Sequence, residues 1–338
     1  MILRSLKSGL LLAAISGIFL VVSCTSNRNG SNLPRSIGNT SEVLVVLQNQ
    51  EQWDGTVGQV IRQYMEQEQY GMPQVEPLFK LSHIAVSNFS DLFKKHRNIL
   101  IVEIDPSLAS PSMEVFNDLW SSPQRIFKIK SPSNAQFGEL FAKNEESVVQ
   151  NFGEAERQRI MEVFNPTIKN DVSEEVLKKF RLNLGVPSGF YVAKSTEGFM
   201  WLRKEVPDYS QGIFIVSEPY HAEAQFSTES ITARTNRELR KNVPGSVDGS
   251  YMIVDTTFMP PKALQVTNYP FKFAIETRGM WNVANDFMGG PFVSYTFTDQ
   301  GNKRIITLVG YVYYPNHTKR DLLRQMEAIL YSVTPVKE

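Results

Sequence analysis

Phe292–Thr298 (FVSYTFT) and Arg304–Tyr313 (RIITLVGYVY) are two runs of β-branched and aromatic residues, with Asp299, Gln300, Gly301 and Asn302 between them as a turn. Apolar runs of that length around a polar, glycine-bearing break predict an antiparallel hairpin. Outward from it the pattern repeats. Phe190–Ala193 and Phe199–Lys204 flank Ser195, Thr196, Glu197 and Gly198 as a second hairpin, with Ile213–Val216 as a third strand beside it. Tyr251–Asp255 and Lys272–Glu276 read as further strands. A helix is expected over Glu229–Lys241, stopped near Pro244 and Gly245, and a closing helix after a Thr318 cap, with Leu322, Leu323, Met326, Ile329 and Leu330 on one face.

Upstream of Gly185, Pro187 and Gly189 the alternation changes. Val43–Leu47 has strand length, and Asp54 is placed to cap a helix reaching about Gln67, with Val57, Val60, Ile61 and Tyr64 on one side. Strands follow at Leu78–Val86, Ile99–Ile104 and Arg125–Ile129, with a short helix capped by Ser90 before Lys94, Lys95 and His96. The longest helical region runs from Asn134 to Phe164, with Gly153 as an expected kink and Pro166 as its stop, and Ser173 opens another helix to about Leu184. The predicted fold class is α+β, with mixed or antiparallel sheets carrying packed helices in two sheet-and-helix subdomains, residues 42–184 and 185–338.

The first two dozen residues set an address. Arg4 and Lys7 precede an apolar run, Leu10–Val22, of 13 residues broken only by Ser16 and Gly17, followed by Ser23 and Cys24. That is the layout of a secretory signal, too short for a permanent spanning helix. Leu20, Val21, Val22, Ser23 and Cys24 resemble the lipobox of bacterial lipoproteins. The resemblance implies cleavage after residue 23, acylation of Cys24 with chains such as palmitate, and a membrane partner reached through that anchor. Cys24 is the only cysteine, so no intramolecular disulfide competes for it. Ser26, in place of the aspartate that retains such proteins at the inner membrane, points to the outer membrane with the body facing the periplasm. Residues 24–41, rich in Ser, Asn and Gly, form a flexible tether.

Cleavage removes two of the 35 basic residues, leaving 33 against 35 acidic ones in a mature chain of 315 residues. Near-neutral charge gives no reason to expect nucleic acid; other envelope proteins remain as partners. The chain has no Gly-x-Ser-x-Gly elbow, His-Glu-x-x-His, phosphate loop or dinucleotide fingerprint. His83, His96, His221 and His317 show no metal-ligand spacing. Glu103 and Asp105 share a strand face, a geometry open to acid and base work or to plain solvated charge. No catalytic residue, cofactor or metal is assigned.

One stretch mixes residue types found in binding sites. Between Arg278 and Phe292 the chain holds Trp281, Asn282, Asn285, Asp286, Phe287 and Met288 before a Gly289, Gly290, Pro291 break. As a surface loop or short helix it would offer Arg278, Trp281, Asp286 and Met288 to a ligand. As core, it would bury Trp281 and Phe287 and use the glycines as a turn.

The lipobox, the strand and helix over Glu42–Gln67, and the stretch Trp281–Phe297 together resemble a family of Bacteroidota lipoproteins defined as domain-of-unknown-function family 4837, over essentially the whole mature chain. That resemblance implies an envelope address and carries no site residue. The reading that follows is a membrane-anchored envelope lipoprotein acting as a noncatalytic binding or interaction module. The alternative is a hydrolase that acts on an envelope polymer or peptide through carboxylates from separate strands.

Overall fold

The computed structural model describes residues 33–336. The leader, Cys24 and the first part of the tether lie outside the described residues.

The first half is built from β1 (Glu42–Leu47), α1 (Gln50–Asp54), α2 (Thr56–Met65), β2 (Lys80–Ala85), β3 (Asn98–Ile104), β4 (Ser112–Asn117), β5 (Arg125–Ser131) and α3 (Asn134–Phe164). The strands form one sheet in the order β2-β1-β3-β5-β4, parallel except for β4, which runs antiparallel to β5. Val43, Val45 and Leu47 of β1 face the helices while Leu44 and Val46 face the other side. A central parallel strand is buried on both faces, which is why its sequence is continuously apolar rather than alternating. Ile61 of α2 and Phe137, Phe141 and Phe152 of α3 fill the helix-covered face. The opposite face has a thinner cover that includes Phe89 and Trp120.

Two local expectations are corrected and one strand is added. Asp54 ends α1 rather than capping a long helix: Asn49 caps α1 by accepting from Gln52 N at 3.0 Å, and α2 starts afresh after Gly55. α3 runs unbroken through Gly153 for 31 residues, from a Ser133 cap to Asn165 and Pro166. β4 was not foreseen, because an edge strand with one solvated side, SMEVFN, has too little apolar signal.

The second half comprises α4 (Asp171–Phe180), β6 (Leu182–Asn183), β7 (Tyr191–Thr196), β8 (Phe199–Glu205), β9 (Ser210–Pro219), α5 (Thr228–Asn242), β10 (Tyr251–Val254), β11 (Lys262–Val266), β12 (Ala274–Ala284), β13 (Gly289–Asp299), β14 (Arg304–Tyr313), α6 (Arg320–Tyr331) and β15 (Thr334–Pro335). Its main sheet is antiparallel, ordered β10-β12-β13-β14-β9-β8-β7, with β11 also against β12. The hairpin β13–β14 lies at its centre, with Phe292 opposite Tyr311 and Asp299 opposite Arg304. The helix α4, grouped by sequence with the first half, sends Val176 and Phe180 into the core of this second sheet.

Each face of the second sheet has its own core. Trp281, Val283, Phe292 and Tyr311 pack with Leu239 of α5. Val293, Tyr295 and Phe297 pack with Leu323, Met326, Ile329 and Leu330 of α6. Gly310 permits that second packing: a Cβ there would sit 2.7 Å from Met326 Cβ, so the helix could not approach any other residue as closely. α6 in turn meets α3, so the two helices join the halves.

The start of α6 is the clearest case of a tertiary contact replacing a local one. Thr318 does not cap it, and Lys319 stands at the cap position with no side-chain bond to the helix. Glu76, from the loop after α2, supplies the acceptor instead. Its carboxylate takes Lys319 N at 2.8 and 3.0 Å and Arg320 N at 2.9 Å, while being only 4% exposed. Free N–H groups at a helix start attract an anion, and it need not come from neighbouring sequence. The described chain thus has an α+β fold with one mixed and one antiparallel main sheet, besides the short antiparallel pair of β6 and β15.

Candidate functional site

Side chains on α6 alternate in role. The apolar set faces the second sheet, and Arg324, Glu327 and Tyr331 follow one another at helical spacing on the side that meets α3. On α3, Gly153 and Arg157 are one turn apart and join the same surface. From the sheet, Glu276 and Arg278 of β12 point to the face that carries Val293 and Tyr295, their partners in register. These elements enclose a cleft of about 690 Å³, whose outer wall includes Gln67, Gln150, Leu264 and Asn268.

Ion pairs organise the floor. Arg278 Nη2 lies 2.9 Å from Glu327, and Arg278 Nε donates to Glu276. Tyr295 donates its hydroxyl to Glu276 at 2.7 Å, and Arg157 Nη1 donates to Glu327 at 2.7 Å. The guanidinium of Arg157 also stacks 4.1 Å from the Tyr331 ring centre. Burial opposes the charge of Glu327, but Arg278, Arg157 and Arg324 outweigh it and hold its carboxyl down at about 2. Burial likewise opposes the charge of Arg278, yet Glu276 and Glu327 keep its pKa well above the usual arginine range.

Arg324 is different. It is 7% exposed and donates Nη2 to Leu78 O at 2.6 Å, with its guanidinium carbon 4.7 Å from the Phe79 ring centre. Its Nε has no hydrogen-bond partner, and it forms no ion pair among the described residues. Burial lowers its pKa, with only partial compensation from Glu327 and Glu156. Gly153 lies beside it: a Cβ there would be 3.8 Å from Nη1 of both Arg157 and Arg324. The absent side chain leaves the two guanidinium groups facing the cleft.

The four residues singled out from sequence are dispersed by the fold. Arg278 lines the cleft. Trp281, three residues on, is buried on the opposite face of the sheet, where Nε1 donates to Val312 O. Asp286 sits in the β12–β13 turn and accepts from the Ser246 hydroxyl, which holds its carboxyl below the usual range. Met288 closes that turn against the α5-side core. Phe287 is fully exposed instead of buried, and Gly289 and Gly290 lie within β13 rather than making the turn. Gly290 is required by a close approach, since a Cβ would fall 2.1 Å from Val312 O. Strand alternation explains the dispersal: residues 278 and 281 are an odd number apart.

Arg157, Arg324, Glu327 and Glu276 were not singled out. A charged stripe on an amphipathic helix reads as a solvated face, and only the α3–α6 contact makes it interior. Glu103 lies between Lys128 at 3.3 Å and Lys130 at 3.9 Å, while Asp105 accepts from Ser107 N, so the two make an ordinary strand-end charge cluster. His83 stacks on Trp53 and His317 on Tyr314, and His96 is buried near Glu42. Among the described residues no group of three His, Cys, Asp or Glu is placed to hold a metal ion. No helix among them is long and apolar enough to cross a membrane.

The fold and cleft define an α+β protein with an arginine-lined recess between its halves. Residues 169–332 match the model of the domain of unknown function DUF4837, and residues 36–165 match that of another domain of unknown function, DUF8532. The family resemblance of Trp281–Phe297 is therefore upheld, whereas Glu42–Gln67 falls under the second model. The two matches meet just after α3. A comparison with curated proteins returns no match. Among solved structures the chain is similar to LpqN, involved in cell envelope biogenesis of Mycobacterium tuberculosis, at 13% identity over 46% of this chain and 83% of that one, with a TM-score of 0.26. It is also similar to the lipid transfer and protein localization domain of human StarD13 (DLC2), at 10% identity over 47% of this chain and 97% of that one, with a TM-score of 0.22. At those scores neither likeness bears on fold or function.

Proposed function

We propose that the protein is a noncatalytic binding module, held by acyl chains on Cys24 at a bacterial outer membrane and facing the periplasm, with the cleft between α3, α6 and β12 as its binding site. The observation that carries this reading is the clamping of the two carboxylates on the cleft floor. Glu276 is gripped by Arg278 and Tyr295, and Glu327 by Arg157 and Arg278. Glu327, held below the usual carboxylate range by its arginines, has no proton to give at neutral pH, and each oxygen of the two carboxylates is already taken by an arginine or Tyr295, so neither is free to take a proton from water or substrate. This favours recognition over the alternative, a carboxylate-dependent hydrolase. Guanidinium groups fixed on a helix and a strand are suited to holding a ligand in one orientation.

A photoreactive residue at Gln150, on the α3 rim, is expected to trap an adduct in cells that the same residue at exposed Glu197 does not. An equal yield from both positions sinks the reading. Turnover of envelope peptide or glycan that disappears in Glu276→Gln replaces it with the hydrolase. Mass spectrometry of the native protein tests the anchor, the expected form being a chain that starts at an acylated Cys24.

A further inference from the structure

We propose that the cleft recognises a small molecule through one oxyanion, a carboxylate or phosphate group, seated over Gly153 between the guanidinium groups of Arg157 and Arg324. This rests on the binding reading above and adds the class of ligand.

Three arginines, Arg157, Arg278 and Arg324, line the cleft with two carboxylates at its floor, Glu276 and Glu327. The two carboxylates are engaged by Arg278 and Arg157, which leaves Arg324 as the surplus cation. A buried charge with no ion pair is costly, and Arg324 is nearly fully buried with its Nη2 on a backbone carbonyl, an unpartnered Nε, only partial compensation from Glu327 and Glu156, and no ion pair among the described residues. Its forked donors suit an oxyanion better than a chloride. The seat is shaped as well as charged: Gly153 lies in the interior of a long helix, where glycine costs roughly 1 kcal/mol against alanine, and its bare surface is where the two Nη1 atoms come together.

The rim narrows the class. Glu145 and Glu146 line the cleft two turns before Gly153, with Gln67, Gln150 and Asn268 nearby. Acidic groups there oppose a polyanion. They suit a ligand whose single acid end enters first, followed by hydroxyl, amide or amine groups that pair with the rim.

The test uses the full chain in detergent and reads its thermal midpoint against inorganic phosphate, acetate, and vesicles of phosphatidylglycerol, at fixed ionic strength. For either small anion the midpoint is expected to rise, by about 5 °C at a hundredfold excess over its dissociation constant. Gly153→Asp places a carboxylate over the seat within the chain itself and is expected to abolish the rise, as is Arg324→Gln. If Arg324→Gln fails to fold, Gly153→Asp still decides. A response to vesicles that is lost in Gly153→Asp assigns the oxyanion to a lipid headgroup; a response to the small anions alone assigns it to a soluble ligand. No response in the parent chain, or one unchanged in Gly153→Asp, overturns the proposal. A Gln150 adduct without any anion response would leave the binding reading standing and remove this one.

Discussion

Two arginine–glutamate networks share helix α3, and they differ in what surrounds them. The first centres on Glu156, which is 0% exposed. It accepts from Asn98 Nδ2 at 2.7 Å and Arg159 Nη1 at 2.8 Å, while Arg159 also donates to Asn98 Oδ1, Arg97 O and Pro123 O. Glu156 Oε2 lies 3.3 Å from Arg97 Nη2, an ion pair without hydrogen-bond geometry. This network ties the start of β3 to the helix. The second, Arg157–Glu327–Arg278–Glu276, begins at the very next residue and opens onto a cleft that also holds the unpaired Arg324. The same pairing chemistry thus serves two ends: where the carboxylate is surrounded by donors the network fastens the fold, and where a cation is left over beside a recess it makes a seat.

The comparison predicts effects of different kind and size. Glu156→Ala leaves Arg159 buried without its carboxylate and is expected to cost about 3 to 5 kcal/mol in urea unfolding, the largest effect of the series. The anion response of whatever remains folded should be unchanged; a loss of that response would merge the two networks into one. For Glu327, the pKa falls from 4.5 in the free side chain to about 2 in the fold, so its contribution is full above pH 4.5 and is lost as the pH drops through 2. Linkage puts this at about 3 kcal/mol. Glu327→Gln should therefore flatten the acid limb of stability against pH between those values. An unaltered acid limb would mean that Glu327 is not held by its arginines.

Glu76→Ala removes the acceptor at the start of α6 and should cost about 1 to 2 kcal/mol, with faster hydrogen exchange at the amides of Lys319 and Arg320. Exchange confined to residues before Lys319 would deny Glu76 its capping role. The smallest effect has the opposite sign. Gly153→Ala adds a methyl at ordinary contact distance from both Nη1 atoms and should raise stability by about 1 kcal/mol, while weakening the phosphate response because the methyl intrudes on the seat. A loss of stability there would show that the helix needs glycine for space and not only for the seat.

Legibility in the sequence followed the range of the forces involved. The β13–β14 hairpin, the 31 residues of α3 and the parallel β1 are written in local periodicity, and each lies where that periodicity places it. The weak edge strand β4 and the pairing of β11 with β12 are not, because β4 carries too few apolar residues and β11 is largely exposed. In the cleft, only Arg278 was picked out, and for company it does not keep: Trp281 packs on the other face of the sheet and Asp286 and Met288 on the turn. Arg157 and Arg324 could not be chosen, since charges on a helix face read alike whether the next layer is water or another helix.

The sequence alone determined that this chain alternates strands and helices in its first half and builds antiparallel hairpins in its second, because burial of apolar side chains at periods of 2 and 3.6 is a local matter. Tertiary structure alone decided that Glu76 caps a helix 243 residues away, that Glu156 is sealed while Arg157 beside it faces a cleft, and that Arg324 is buried with no ion pair among the described residues. A charge acquires its energy from whatever solvates it, and in a folded chain that is set by which layers come to lie against each other.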